Sequence, residues 1–102
     1  MKIITICGSL KFTEEIKYYT EKLALEGNCV LGIIYPTEGR RYHTPEEIQF
    51  LEKGHLKKID LSDAIYVINK NGYIGDAVKR EIEYAKNANK EILYLENKYQ
   101  PD

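Results

Sequence analysis

Strand-like and helix-like runs alternate along this chain of 102 residues. That alternation predicts an α/β sandwich of three layers around a four-stranded parallel sheet, with right-handed crossovers. Three observations carry the expectation. Four short runs are rich in Ile, Val and Leu and end at small or polar residues. The longer stretches between them carry apolar residues at spacings of three and four. The length leaves room for a single domain, placed at residues 1–97, with a patternless tail at 98–102.

Ile3-Ile4-Thr5-Ile6-Cys7 is short and β-branched and stops at Gly8-Ser9, as a strand buried on both faces does. Phe12, Ile16, Tyr19 and Leu23 then mark an amphipathic helix, with Thr13 as its expected N-cap and Glu14 and Glu15 where the helix dipole favours acids. Gly27-Asn28 closes that helix. Cys29 to Tyr35 reads as the second strand, followed by a loop from Pro36 to His43. Thr44-Pro45-Glu46-Glu47 announces the second helix through an N-cap, a proline in the first turn and a capping-box glutamate. Ile48, Leu51, His55 and Ile59 form its apolar stripe. Ala64 to Ile68 is the third strand, Asn69 to Gly75 a polar turn, and Val78, Ile82 and Ala85 the seam of a third helix. Glu91 to Leu95 is the last strand.

Four strands and three helices in this order make a small flavodoxin-like or Rossmann-like sandwich. Ligands of such sheets bind beyond the carboxyl ends of the strands, at the switch point. Gly8–Lys11, Tyr35–His43 and Asn69–Asp76 are therefore expected around one crevice. Fifteen Lys and Arg against 16 Asp and Glu give a net charge of −1. A nucleic-acid polymer is not expected as partner, because neutralising phosphates requires a basic surplus. The longest apolar run, Val30–Tyr35, is too short to span a bilayer, and the N-terminus lacks a signal-peptide pattern. No membrane association is expected, and the cytoplasm is the expected location. The two cysteines form no CxxC pair and join no second Cys/His cluster, so neither a metal nor a cofactor is expected. Cys7 reads as a core thiol at a strand end.

Several residues are candidates for chemistry. Gly8-Ser9-Leu10-Lys11 follows a strand and opens a helix, where backbone N–H groups and the dipole favour an anion and Lys11 adds a positive charge. The same run also suits a plain strand-to-helix turn. Taking about 100° per residue and Val78 as zero puts Ile82 near 40°, Ala85 near −20°, Glu81 near −60° and Glu83 near 140°. Glu81 thus borders the buried seam early in its helix, whereas Glu83 faces water. A half-buried carboxylate there suits a nucleophile; a boundary acid with a lysine partner is the plainer reading. Asp76 on the turn is a candidate for a sugar hydroxyl and equally for the helix N-cap. His55 lies on an apolar stripe, where most histidines are packed core residues. Asp63 falls at the far end of the sheet and suits a backbone hydrogen bond. Arg40 and Arg41 sit on a ligand-side loop, placed to meet a phosphate or simply to be solvated. Tyr35 and Tyr73 fall on crevice loops, where a ring can stack on a nucleobase.

With Glu81 so placed, the chain resembles the nucleoside 2-deoxyribosyltransferase superfamily, which includes the 2′-deoxynucleoside 5′-phosphate N-hydrolases. The matching residues are Ile6-Cys7-Gly8-Ser9-Leu10-Lys11, Ser62-Asp63-Ala64-Ile65-Tyr66-Val67, Gly72-Tyr73-Ile74-Gly75, Glu81-Ile82-Glu83-Tyr84-Ala85 and Lys90-Glu91-Ile92-Leu93-Tyr94-Leu95. The resemblance implies that Glu81 attacks the anomeric carbon of a deoxyribose and displaces the base. The deoxyribosyl group then passes to water or to another base. It implies a nucleoside or nucleotide as the small-molecule partner, with Gly8, Ser9, Lys11, Tyr35, Tyr73, Gly75 and Asp76 as substrate-binding candidates. It also implies a homodimer or larger homo-oligomer in which a neighbour completes the site. The sequence departs from the family where Thr5 stands for a tyrosine, His55 for an aspartate, and Ala77 and Val78 for small hydroxyl residues. The second departure makes His55 a candidate catalytic acid or base. The alternative function is a non-catalytic nucleotide-binding or sensing module on the same fold. A phosphoribohydrolase of the lysine-decarboxylase-like group ranks third, because the loop from Gly72 to Glu81 lacks the proline and threonine of that group's motif.

Overall fold

The computed structural model describes residues 1–37 and 43–97; Arg40, Arg41 and the tail at 98–102 lie outside the described residues. Strands β1 (Ile3–Gly8), β2 (Cys29–Leu31), β3 (Ala64–Ile68) and β4 (Glu91–Tyr94) form one sheet in the order β2-β1-β3-β4. Every pairing is parallel. Helices α1 (Thr13–Leu25), α2 (Pro45–Leu61) and α3 (Asp76–Asn87) make the crossovers, and 3-10 turns occupy Leu10–Phe12 and Lys70–Gly72.

Alternation along β1 sorts the layers. Ile4 and Ile6 pack with Ile16 and Leu23 of α1 on one face. Cys7 points the other way, to Ile59 of α2 and to Val78, Ile82 and Ala85 of α3. The chain runs from β1 out to β2, then α2 carries it back past β1 to β3. The direction of winding therefore reverses between β1 and β3, and their carboxyl ends flank the switch point. Gly8 closes β1 there at a close approach: a Cβ on it would stand 3.0 Å from Ile68 Cβ and 3.4 Å from Ile16 Cδ1.

Local signals hold each helix in place. Thr44 Oγ1 accepts from Glu47 N at 3.1 Å and Glu47 Oε1 accepts from Thr44 N at 2.8 Å, so the expected capping box opens α2. Gly27, at φ +99°, takes the left-handed position that ends α1. Thr13 is not the N-cap of α1 but its first residue, and its hydroxyl donates back to the Leu10 carbonyl. Ser9 caps the preceding 3-10 turn instead, accepting from Lys11 N at 3.3 Å. The N-cap of α3 is Gly75, and Asp76 is its first helical residue.

The second strand is shorter than its apolar run. Among the described residues it pairs with β1 alone, Cys29 opposite Ile3 and Leu31 opposite Thr5. At Gly32 the carbonyl accepts from Lys58 Nζ at 2.8 Å, and the chain leaves the ladder. Buried polar side chains complete the frame. Thr5 Oγ1 lies 2.6 Å from Ser62 Oγ, which itself donates to the Lys58 carbonyl at 2.8 Å. Asn69, fully buried after β3, donates to the Glu96 carbonyl at 3.0 Å and accepts from Glu96 N at 2.8 Å.

Candidate active site

A cavity of about 170 Å³ opens at the carboxyl end of β1, lined by Gly8, Ile33, Ile34, Ile48, Leu51, Glu52, His55, Lys58 and Glu81. Its polar end is built from separate elements. Glu81 comes from the second turn of α3, on the buried side of that helix, and its side chain is only 9% exposed. His55 comes from the middle of α2 with a side chain 12% exposed, and its Nε2 lies 3.4 Å from Glu81 Oε1. Cys7 Sγ, fully buried on β1, lies 3.4 Å from the same nitrogen. Burial pushes the Cys7 thiol well up from its ordinary value, and the charge of Glu81 adds to this. Glu52, one turn before His55, lines the same cavity. Burial, then the neighbouring Glu81 charge, raise its carboxyl above the usual range. Cys7, His55 and Glu81 offer ligand atoms within 4.8 Å of one another, a donor set that fits a transition metal. Chemically, the site presents a buried carboxylate, an imidazole in contact with it and a second carboxyl held toward its protonated form.

No protein-family model and no curated protein sequence matches the chain. Solved structures do. CMP N-glycosidase BcmB of Clostridium botulinum is 18% identical with a TM-score of 0.57, over 91% of this chain and 70% of its own. A 2-deoxyribosyltransferase from Leishmania mexicana is 22% identical with a TM-score of 0.58, over 92% of this chain and 63% of its own. The chain shares the α/β sandwich fold of these two proteins. It spans less than two thirds of the length of that transferase.

On this fold the candidate residues separate into groups. Gly8, His55 and Glu81 meet in the cavity. Lys11 does not line it; its Nζ sits 3.4 Å from the centroid of the Tyr73 ring, which also meets Phe12 edge-on at 5.7 Å. The Tyr73 hydroxyl in turn lies 3.3 Å from where a Gly75 Cβ would stand. Ser9, Lys11, Tyr73 and Gly75 thus belong to the two connections that follow β1 and β3, at the same end of the sheet. Asp76 is exposed at the start of α3. Tyr35 packs on the α1 side of the sheet, with Lys17 Nζ 5.4 Å from its ring, and the cavity wall near it is made by Ile33 and Ile34 instead. Asp63 does take a backbone partner, accepting from Ile3 N at 2.8 Å.

Two charged cavity residues escaped the sequence reading, and so did the contact of the core thiol Cys7 with His55. Glu52 stands four residues after Ile48 and three before His55, so helical spacing alone could have put it on the same face. Lys58 follows His55 by three, with the same signal. Cys7 carried a signal too, since strand alternation places it opposite Ile4 and Ile6 and therefore toward α2.

Proposed function

We propose that the chain cleaves or transfers the N-glycosidic bond of a deoxynucleoside or its 5′-monophosphate, with Glu81 as the nucleophile. The observation that carries this reading is the buried Glu81 carboxylate opening onto a cavity at the switch point of the sheet. The fold shared with an N-glycosidase and a deoxyribosyltransferase supports it. A Glu81 oxygen forms a bond to C1′ as the C1′–N bond breaks, and the electron pair leaves with the base. The sugar passes through an oxocarbenium-like state that the carboxylate stabilises. His55, touching Glu81, is placed to deliver a proton to the leaving base and then to take one from the incoming water or acceptor base. Ile33, Ile34, Ile48 and Leu51 supply apolar wall for a base, and Lys58 adds a positive charge. Ile34 and Ile48 are more than half exposed at this opening, which favours a second copy of the chain covering it.

The test is a panel of deoxynucleosides and their 5′-monophosphates, with and without a free acceptor base, followed by chromatography. Base release that disappears in Glu81→Gln is the expected result. Tight nucleotide binding with no release, in wild type and variant alike, would replace the enzyme with the sensing module.

A further inference from the structure

We infer that Cys7, His55 and Glu81 form a binding site for one divalent transition-metal ion of the zinc type, with a fourth coordination position open to the cavity. The residues come from the end of β1, the middle of α2 and the second turn of α3, and their ligand atoms all lie within 4.8 Å of one another. Bonds of about 2.3 Å to sulfur and about 2.0–2.2 Å to nitrogen and oxygen set tetrahedral ligands roughly 3.3–3.6 Å apart. Cys7 Sγ to His55 Nε2 and His55 Nε2 to Glu81 Oε1 are each 3.4 Å. Two of the three separations therefore already match a tetrahedral ion.

The donor chemistry narrows the metal. Thiolate, imidazole and carboxylate together suit zinc and cobalt, whereas magnesium and calcium take oxygen ligands. His55 and Glu81 line the cavity and Cys7 sits behind them next to Gly8, so the free position faces the open space. Three protein ligands and one open position is the pattern of sites that exchange water or substrate. Glu52 lines the same cavity one turn before His55, where a carboxyl can serve as an outer partner to the ligands. On binding, the ion replaces the Cys7 thiol proton, which leaves to solvent, and takes the lone pair of His55 Nε2.

The site stands on those distances. Its consequence for catalysis rests on the glycosidase reading: the carboxylate that ligates the ion is the one that attacks the sugar, so metal uptake suppresses base release.

The experiment is titration of untagged, chelator-stripped protein with Co²⁺, followed by absorption. Uptake of one equivalent is expected, with the visible bands of four-coordinate cobalt and a thiolate-to-cobalt charge-transfer band, both bleached by zinc. Cys7→Ser removes the charge-transfer band. His55→Ala and Glu81→Gln weaken uptake by at least about 100-fold. Cys29→Ser changes neither, because Cys29 pairs with Ile3 at the opposite end of the sheet. X-ray absorption on the wild-type zinc protein needs no variant to fold and should show one sulfur neighbour among nitrogen and oxygen. No stoichiometric uptake, a charge-transfer band that survives Cys7→Ser, or a zinc shell without sulfur overturns the site. None of these readouts uses base release, so they hold whether or not the glycosidase reading does. Where base release is seen, inhibition by one equivalent of zinc supports the catalytic consequence, and full activity with zinc bound overturns it.

Discussion

His55 Nε2 stands 3.4 Å from Glu81 Oε1, with both side chains almost wholly withdrawn from solvent. The pair joins α2 to α3 above the end of β1 and gives the cavity its polar end. Groups that act as a unit lose their effect together. His55→Asn should therefore lower kcat for base release by about 10²–10⁴-fold. Glu81→Gln should lower it at least as far, and the double variant should be little worse than Glu81→Gln alone. Steady-state kinetics on the three proteins checks this; fully multiplicative losses would mean that the two residues work independently.

Gly8 sets how closely β1 and β3 approach at the cavity floor. Gly8→Ala would place a Cβ 3.0 Å from Ile68 Cβ, between two strands that cannot easily part. The expected loss is about 1–3 kcal/mol, read as a lower midpoint in urea with an unchanged m-value. An unaltered midpoint would show that the strands give way freely.

Thr5 and Ser62 share a buried contact that the two substitutions should not disturb equally. Thr5→Val removes the donor but leaves Ser62 bonded to the Lys58 carbonyl, at a loss of about 0.5–1.5 kcal/mol. Ser62→Ala strands the Thr5 hydroxyl in a fully buried place, at a loss of about 1–3 kcal/mol. Denaturant titrations that ranked the two the other way round would contradict this account.

Tyr84 on α3 donates to Asp60 Oδ1 on α2 at 2.7 Å, and that bond is the first cause of its raised pKa. A phenol whose folded value lies above its unfolded one stabilises the fold fully below the unfolded value near 10. The contribution is lost as pH rises through the folded value. Tyr84→Phe should thus lower Tm at pH 7, and the gap to wild type should close above pH 10. A gap that stayed constant with pH would exclude the hydroxyl as its source.

Ile48, 54% exposed on α2, stands at the cavity opening with Ile34. If a second copy covers this face, wild type should run as a dimer or larger species in light scattering, and Ile48→Lys should shift it toward monomer. A wild-type monomer at all concentrations would remove the oligomer from the proposed function.

Much of the fold was legible because it depends on short-range signals. The capping box at Thr44 and Glu47, the apolar spacing of α3 and the β-branched run of β1 each specify local geometry without reference to the rest of the chain. The end of β2 was not legible, since it depends on Lys58 taking the Gly32 carbonyl across 26 residues. Thr13 was misplaced because a threonine serves as a cap or as a first-turn residue depending on whether a 3-10 turn precedes it. Within the site, helical periodicity placed Glu81 on the buried side of α3. The Cys7–His55 contact spans 48 residues, so no spacing rule for metal or catalytic clusters could detect it. Tyr35 follows the break in β2, and its direction could not be read from a strand that was expected to continue.

Asn69 adds a rung to the sheet where the fourth strand has already ended. One side chain holds both the N–H and the carbonyl of Glu96, in place of a neighbouring backbone. Fraying of the outer strand from its carboxyl end must break both bonds together, so that margin behaves as a latch that is either shut or open.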